Sequence, residues 1–434
     1  GAAGDAAAKS QRDQFHHPRF RQRGQQSRDR AVGRQRRRAQ VNTITISSNT
    51  TAQTFPVTYG GLWSVQYQAV SGDTTATIAS ALLSLIQDAD GGFVESGWEI
   101  GSANNTIVMT GPADGAPVTI SVSGGNGTIA IANTTTPLSP YDASDTLNYS
   151  GNSLPSSGDR LVFEDSDAGP QYNLTALAGI PLTFDRRPTH TGRIGLPNTN
   201  DAGFAEYRTT HLSANGTALL FDENGSEQAG QYRVNWVSTS AVTVTHTSQS
   251  QGFGGQAGSE VLEIKGLPAN STINLAGGRL ALAPGSSDTG GASTILIAGG
   301  VFSAGMGSTL ANVTVAAGAI VELHAGYGNL TVDGTSDVTV RGNAASSCTT
   351  VIQGGTVHWA STGNIGTTTV GGGGVLDASP APATFATGTI TLAAASTLND
   401  PYNRISRPCT LILNNCTLQE VTIATGTGGN VTLP

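Results

Sequence analysis

Apolar residues return about every 20 residues through the C-terminal third of the chain. One series runs Ile273, Ile295, Val313, Leu330, Val351, Val370, Ile390 and Leu411, in steps of 17 to 22 residues. A second runs beside it through Leu280, Val301, Val321, Val338, Val357, Val375 and Leu398. Small-residue corners separate the two, as at Ala276-Gly277-Gly278, Ala298-Gly299-Gly300 and Gly354-Gly355. A fixed period of this size marks a repeat architecture, in which each unit buries its apolar side only by stacking on its neighbours. Two short strands and a glycine turn per unit, without helices, predict a mainly β chain. The expected fold over 266–434 is a β-solenoid resembling a right-handed parallel β-helix, with about 20 residues per rung.

Upstream the pattern changes. Val41, Ile44 and Ile46 alternate as a strand, and Trp63, Val65 and Tyr67 alternate in a second. Asp73-Thr74 then offers an N-cap to TATIASALLSLIQDA, whose Ile78, Leu82, Leu85 and Ile86 share one helical face. Further strands are expected at 98–101, 106–110, 117–123 and 128–132, so 41–134 reads as a small α+β domain with one helix. The Thr/Pro/Ser stretch 135–145 reads as a linker. Residues 146–265 are expected to hold the solenoid cap and irregular rungs, with strands at 180–184, 217–221, 232–237, 241–246 and 260–264. A cap is needed because a bare first rung would template aggregation. Strand periodicity continues almost to Pro434, which leaves either an exposed edge or a partner covering it.

Composition agrees with strands and tight turns: 57 Gly and only 12% charged residues. No segment approaches the ~20 continuous apolar residues of a membrane-spanning helix. The N-terminus lacks the apolar core of a signal peptide, and secretion by another route or release by lysis stays open. Charge is uneven. Residues 1–38 carry eleven Lys or Arg against three Asp, a net of +8; the remainder holds 11 basic and 27 acidic residues, a net of −16, and the two sum to −8. Residues 1–40 therefore read as a disordered basic leader, processed or not native, since the first Met is Met109. A nucleic-acid arm through Arg34, Arg36, Arg37 and Arg38 is the weaker reading.

Chemistry is sparse. Cys348, Cys409 and Cys416 are too few and odd in number for a disulfide framework, and are expected as small buried side chains. In the regular repeats the acids Glu322, Asp333, Asp337, Asp377, Asp400 and Glu420 are dispersed. Asp333 and Asp337 flank one corner, where a turn outweighs the close carboxylate pair that glycoside hydrolysis requires. Glu164, Asp165 and Asp167 lack the spacing of a calcium loop. His190, His211, His246, His324 and His358 are scattered; His324 and His358 occupy similar places after a strand and suggest a surface ladder. Gly371-Gly372-Gly373-Gly374 is turn material rather than a phosphate cradle. Trp236, Trp359, Tyr327 and Tyr402 suit either sugar stacking or core filling. The triplets at Asn173, Asn312 and Asn329 are expected by composition alone. No catalytic residue, metal site or cofactor is expected.

Two segments carry a resemblance. Val70-Ser71-Gly72-Asp73-Thr74-Thr75-Ala76-Thr77-Ile78-Ala79, followed by Ala81-Leu82, resembles a short module of bacteriophage tail and other virion structural proteins. Gly151-Asn152-Ser153-Leu154-Pro155-Ser156-Ser157-Gly158-Asp159-Arg160-Leu161-Val162-Phe163 resembles the motif that leads into the first rung of secreted and phage β-solenoid proteins. The resemblance implies a non-enzymatic virion-associated component, such as a tail fibre, appendage or decoration protein, located on a virion or outside the cell. Its expected partners are other virion or surface proteins, further copies in a homotrimer, and glycans, with no membrane and no nucleic acid. The alternative is a secreted or cell-surface bacterial adhesin, and behind it a polysaccharide-active β-helix enzyme.

Overall fold

The computed structural model describes Phe20–Arg21 and residues 37–426, except 61–62, 90–97, 113–114, 200–202, 204, 207, 224–231, 249–261, 284–292, 307, 317, 325, 343–347 and 407–408. The apolar period builds a parallel β-solenoid of about ten turns of ~22 residues over 160–425. Each regular turn gives one strand to each of two sheets. The first sheet begins with Arg160–Phe163 and Pro181–Arg186, then stacks strands such as Thr272–Leu275 and Thr294–Ile297 down to Thr410–Leu413. The second runs from Tyr232–Trp236 to Thr422–Thr425. Leu212–Glu223 serves both: Leu212 to Ala214 pair in the second sheet, Ala218 to Glu223 in the first. The ladder passes unbroken through 265, so the change seen there in sequence is one of loop length rather than of architecture.

The register refines the apolar series. In the first sheet Ile273, Ile295, Val313, Leu330, Thr350, Thr368, Ile390 and Leu411 stack in one inward column. Val351 faces outward, and Val370 stacks in the next column between Ile352 and Leu392. In the second sheet the column is Leu280, Phe302, Val321, Val338, Val357, Leu376 and Leu398, so Val301 and Val375 stand one residue outside it. In the first sheet two rungs place Thr where an aliphatic was expected, and in the second Phe302 and Leu376 hold the column beside the two valines. Side-chain direction has a period of two, so a count made on valines alone steps out of the column. A rung such as 294–304 buries Ile295, Ile297, Phe302 and Ala304 completely or nearly so. Full burial stabilises by about 1.5–3 kcal/mol per large aliphatic or aromatic side chain.

Corners need glycine. Gly278 and Gly300 both hold φ +78, and a Cβ on Gly300 would lie 2.4 Å from the Gly278 carbonyl oxygen of the turn before. Only a residue without Cβ lets successive corners stack this closely.

Residues 41–135 form a small β-rich domain. Val41–Ile46 pairs antiparallel with both Thr106–Thr110 and Ile129–Thr135, and Glu99–Ala103 adds a fourth strand. A second sheet joins Trp63–Gln68, Thr54–Tyr59 and Ile120–Ser121. The helix Thr75–Ala89 buries Ile78, Ala79, Leu82 and Ile86, while Leu85 is only half-buried. Thr74 caps it, accepting from the Thr77 amide at 3.1 Å. Asp73 secures the preceding turn, accepting from the Val70 amide at 2.8 Å and the Tyr67 hydroxyl at 3.0 Å.

The stretch expected as a linker is docked instead. Arg38 bridges Leu138, and Asp142 is buried, accepting from the Ser144 amide and the Asn173 side chain. Asn148 donates to the Ser139 and Asp142 carbonyls, which folds 139–148 into the cap of the first rung. In the lead-in motif Asp159 accepts from the Ser156 amide at 2.7 Å, and Leu161, Val162 and Phe163 enter the core. Within the basic leader, Phe20–Arg21 pair antiparallel with Phe163 and Val162; the rest of 1–36 lies outside the described residues. No helix among the described residues is long and apolar enough to cross a membrane.

Candidate functional site

Ionisable side chains gather on the outward side of the second sheet, because register aligns residues that sequence spaces apart. Glu322, Thr339, His358, Asp377 and Asn399 occupy one outward column on successive turns. Asp337 stands two residues before Thr339 on its strand. The result is an imidazole between two carboxylates. His358 Nδ1 lies 2.7 Å from Asp377, and Nε2 lies 3.6 Å from Asp337. Asp377 also accepts from Asn399 at 2.8 Å and from the Ser379 amide at 3.0 Å. Burial alone would raise its pKa, yet the bonds from Ser379, His358 and Asn399 hold it below the usual carboxylate value. Two turns along the column from His358, Glu322 pairs with both Arg341 and His324. His324 stands level with Arg341 rather than with His358, so the expected histidine ladder does not form.

A second cluster lies at the irregular end. His211 Nε2 is 2.7 Å from Glu263, and its Nδ1 is 2.9 Å from the Thr210 hydroxyl. Burial would raise Glu263, but the His211 bond and the charges of Arg233, His211 and Lys265 hold it low. Arg233 is buried and donates to the Leu196 carbonyl and the Asn198 side chain, fastening both residues to the sheet.

Both clusters pair an imidazole with carboxylate oxygen. Glycoside hydrolysis needs two carboxylates separated by open space for a sugar or water. Between Asp337 and Asp377 that space is filled by the His358 ring. A hydroxyl–imidazole–carboxylate chain exists at Thr210, His211 and Glu263, yet it lies against a structural arginine. The remaining acids of the repeats serve turns. Asp333 accepts from the Gly334 amide, Asp400 from the Arg404 and Ile405 amides, and Glu420 closes a capping box with Thr417. Asp165 and Asp167 are exposed turn residues beside half-buried Glu164. No group of three or more His, Cys, Asp or Glu side chains suited to a metal occurs among the described residues.

The other candidates resolve into packing. Trp236, Trp359 and Tyr327 fill the core, and of the four aromatics only Tyr402 is exposed, with Arg404 over its ring. Cys348 is buried, whereas Cys409 and Cys416 are half-buried rather than inside the stack, and none of the three is in a disulfide. Asn329 donates to Asn312 on the previous turn, and Asn173 ties to Asp142. Two recesses of about 410 and 440 Å³ lie where the small domain meets the solenoid, sharing Pro117, Val118, Thr119 and Asn173. Sequence reading missed both histidine clusters, because their partners are 19 to 52 residues apart and meet only through register. The chain matches no protein-family model, and no curated protein matches it.

Proposed function

We propose that this chain is a non-enzymatic structural component of a phage or phage-like particle, a fibre, appendage or decoration protein in which the solenoid is the rigid element. The observation that carries this reading is the unbroken parallel ladder over about ten turns, closed around aliphatic columns. Such a stack resists local opening because each interior strand is hydrogen-bonded on both sides, and solenoid stability accumulates through neighbour interfaces. The acids of the repeats hold turns or meet histidine and arginine partners, which suits persistence more than turnover. The cap, with its docked 139–148 segment, lets the small domain act as the attachment end. Glycan contact at the surface is part of the same proposal, as is a place on a virion or outside the cell.

The test is to raise antibodies to the purified chain and follow it through a density gradient of particles from the producing culture. Retention on particles at constant stoichiometry through a high-salt wash is expected. Recovery only with the cell envelope would replace this reading with the surface adhesin.

A further inference from the structure

The two sheets present very different outward sides. On the first sheet, two outward columns run over nine turns, from Thr243 to Thr410 and from Thr245 to Ile412. Of these eighteen positions twelve are Thr; the exceptions are Asn312 and Asn329 in one column, and Asn274, Leu296, Val351 and Ile412 in the other. None is charged and none is aromatic, and all are exposed or half-buried. The two corresponding columns of the second sheet, Arg233 to Ala424 and Arg279 to Thr422, also hold eighteen positions. They carry only four Thr, and they include Arg233, Glu263, Glu322, Asp337 and Asp377. Strand propensity favours Thr equally on both sheets, so propensity does not explain the difference. Over these nine turns freedom from charge is what distinguishes the first face; above them the same columns reach Asp185 and Arg160, which pair with each other.

We propose that this uncharged face is where a second copy of the chain docks. Loss of charge from a patch is the compositional mark of an interface core. The chain carries a net charge of −8, so two copies repel wherever their charged surfaces meet. A face with no charge meets its own copy without that penalty. Leu296 and Ile412, at 41% and 44% exposed, and half-buried Val351 give one column apolar groups to remove from water. Nine strands about 4.8 Å apart and roughly 13 Å long span an area on the order of 500 Å² before the flanking corners are added. That approaches the ~800 Å² each partner gives to a standard interface. Other occupants fit less well. A sugar surface would want aromatic platforms, and a nucleic acid or an anionic membrane would want cations; the face has neither. Asp333, at the adjoining corner, is the nearest charge along its strand.

Light scattering of the full chain after size exclusion, over a wide concentration range, reads the association directly. The wild-type chain is expected at a multiple of 44.1 kDa. Leu296→Lys and Thr331→Lys, each placing a cation on the face of both copies, are expected to weaken association at least about tenfold. Thr397→Lys, on the second sheet, is expected to leave it intact, with the circular dichroism of all three unchanged. A single-chain mass at the highest concentration, or an assembly indifferent to Leu296→Lys and Thr331→Lys, would overturn the proposal. The readout is association alone, so a failed particle assignment and a failed docking face give different results.

Discussion

Thr350 and Thr368 sit one turn apart in the same buried column, and the same substitution should move stability in opposite directions. The Thr350 hydroxyl bonds the buried Tyr327 hydroxyl at 3.1 Å. The Thr368 hydroxyl has no hydrogen-bond partner and lies between Thr350 and Ile390. A buried unsatisfied hydroxyl costs about 1–3 kcal/mol. Thr368→Val is therefore expected to stabilise by roughly 1 kcal/mol, and Thr350→Val to destabilise by about as much. Urea midpoints of the two variants at equal m-value decide it; a common sign would refute the assignment of partners. The buried histidines give a second residue-scale expectation. Burial holds His190 and His246 at about 4, with the nearby Arg186 guanidinium pushing the same way. Both are neutral when folded but take up a proton near 6.5 when unfolded, so their contribution is complete above that pH and falls as pH drops from 6.5 towards 4. The loss is on the order of 3 kcal/mol per histidine. Denaturation at pH 7 and pH 4.5 should show it, and His246→Leu should flatten the slope; an unchanged slope would place the acid sensitivity elsewhere.

Among elements, the corners and strands differ in how far sequence reveals them. The helix Thr75–Ala89, its cap and the antiparallel strands around it were legible because apolar period and turn chemistry agree locally. The rung period was equally legible, yet the column was not. Thr350 and Thr368 are inward-facing where valine next door looks the better candidate, and only pairing with the neighbouring turn decides between them. The docking of 139–148 was hidden for a related reason, since Asp142 and Asn148 read as turn residues until tertiary partners satisfy them. For the candidate site, the corner expected at Asp333 forms, with its carboxylate accepting from the Gly334 amide, whereas Asp337 lies in a strand beside His358. The His358 and His211 clusters depend on register and carry no local signal. Corner geometry supports a third prediction. Gly300→Ala combines a positive φ with a 2.4 Å approach to a backbone oxygen, so a loss of at least about 2 kcal/mol is expected. Gly373→Asn, at φ +81 with nothing within 4 Å of its Cβ, should be nearly neutral. Equal losses at both would mean that close stacking does not govern the corners.

The whole molecule is a stack with two unlike sides and two unlike ends. One end is closed by the 139–148 segment and the small domain; at the other, the last described strands are Thr410–Leu413 and Thr422–Thr425, where Leu413, Val421 and Ile423 are only half-buried. Hydrogen exchange should follow this asymmetry. Amides of central strands such as Val357 and Ile390 are expected to exchange slowest, with protection falling towards Thr425, because each added neighbour raises the cost of opening. Uniform protection to the last strand would point to a partner covering that end. Cryo-electron microscopy of the purified full chain would read the long parallel ladder itself. An elongated body about 50 Å along the stack is expected, with strands repeating every ~4.8 Å and a smaller domain at one end. A compact body without that repeat would contradict it, and the structural role would fall with the ladder.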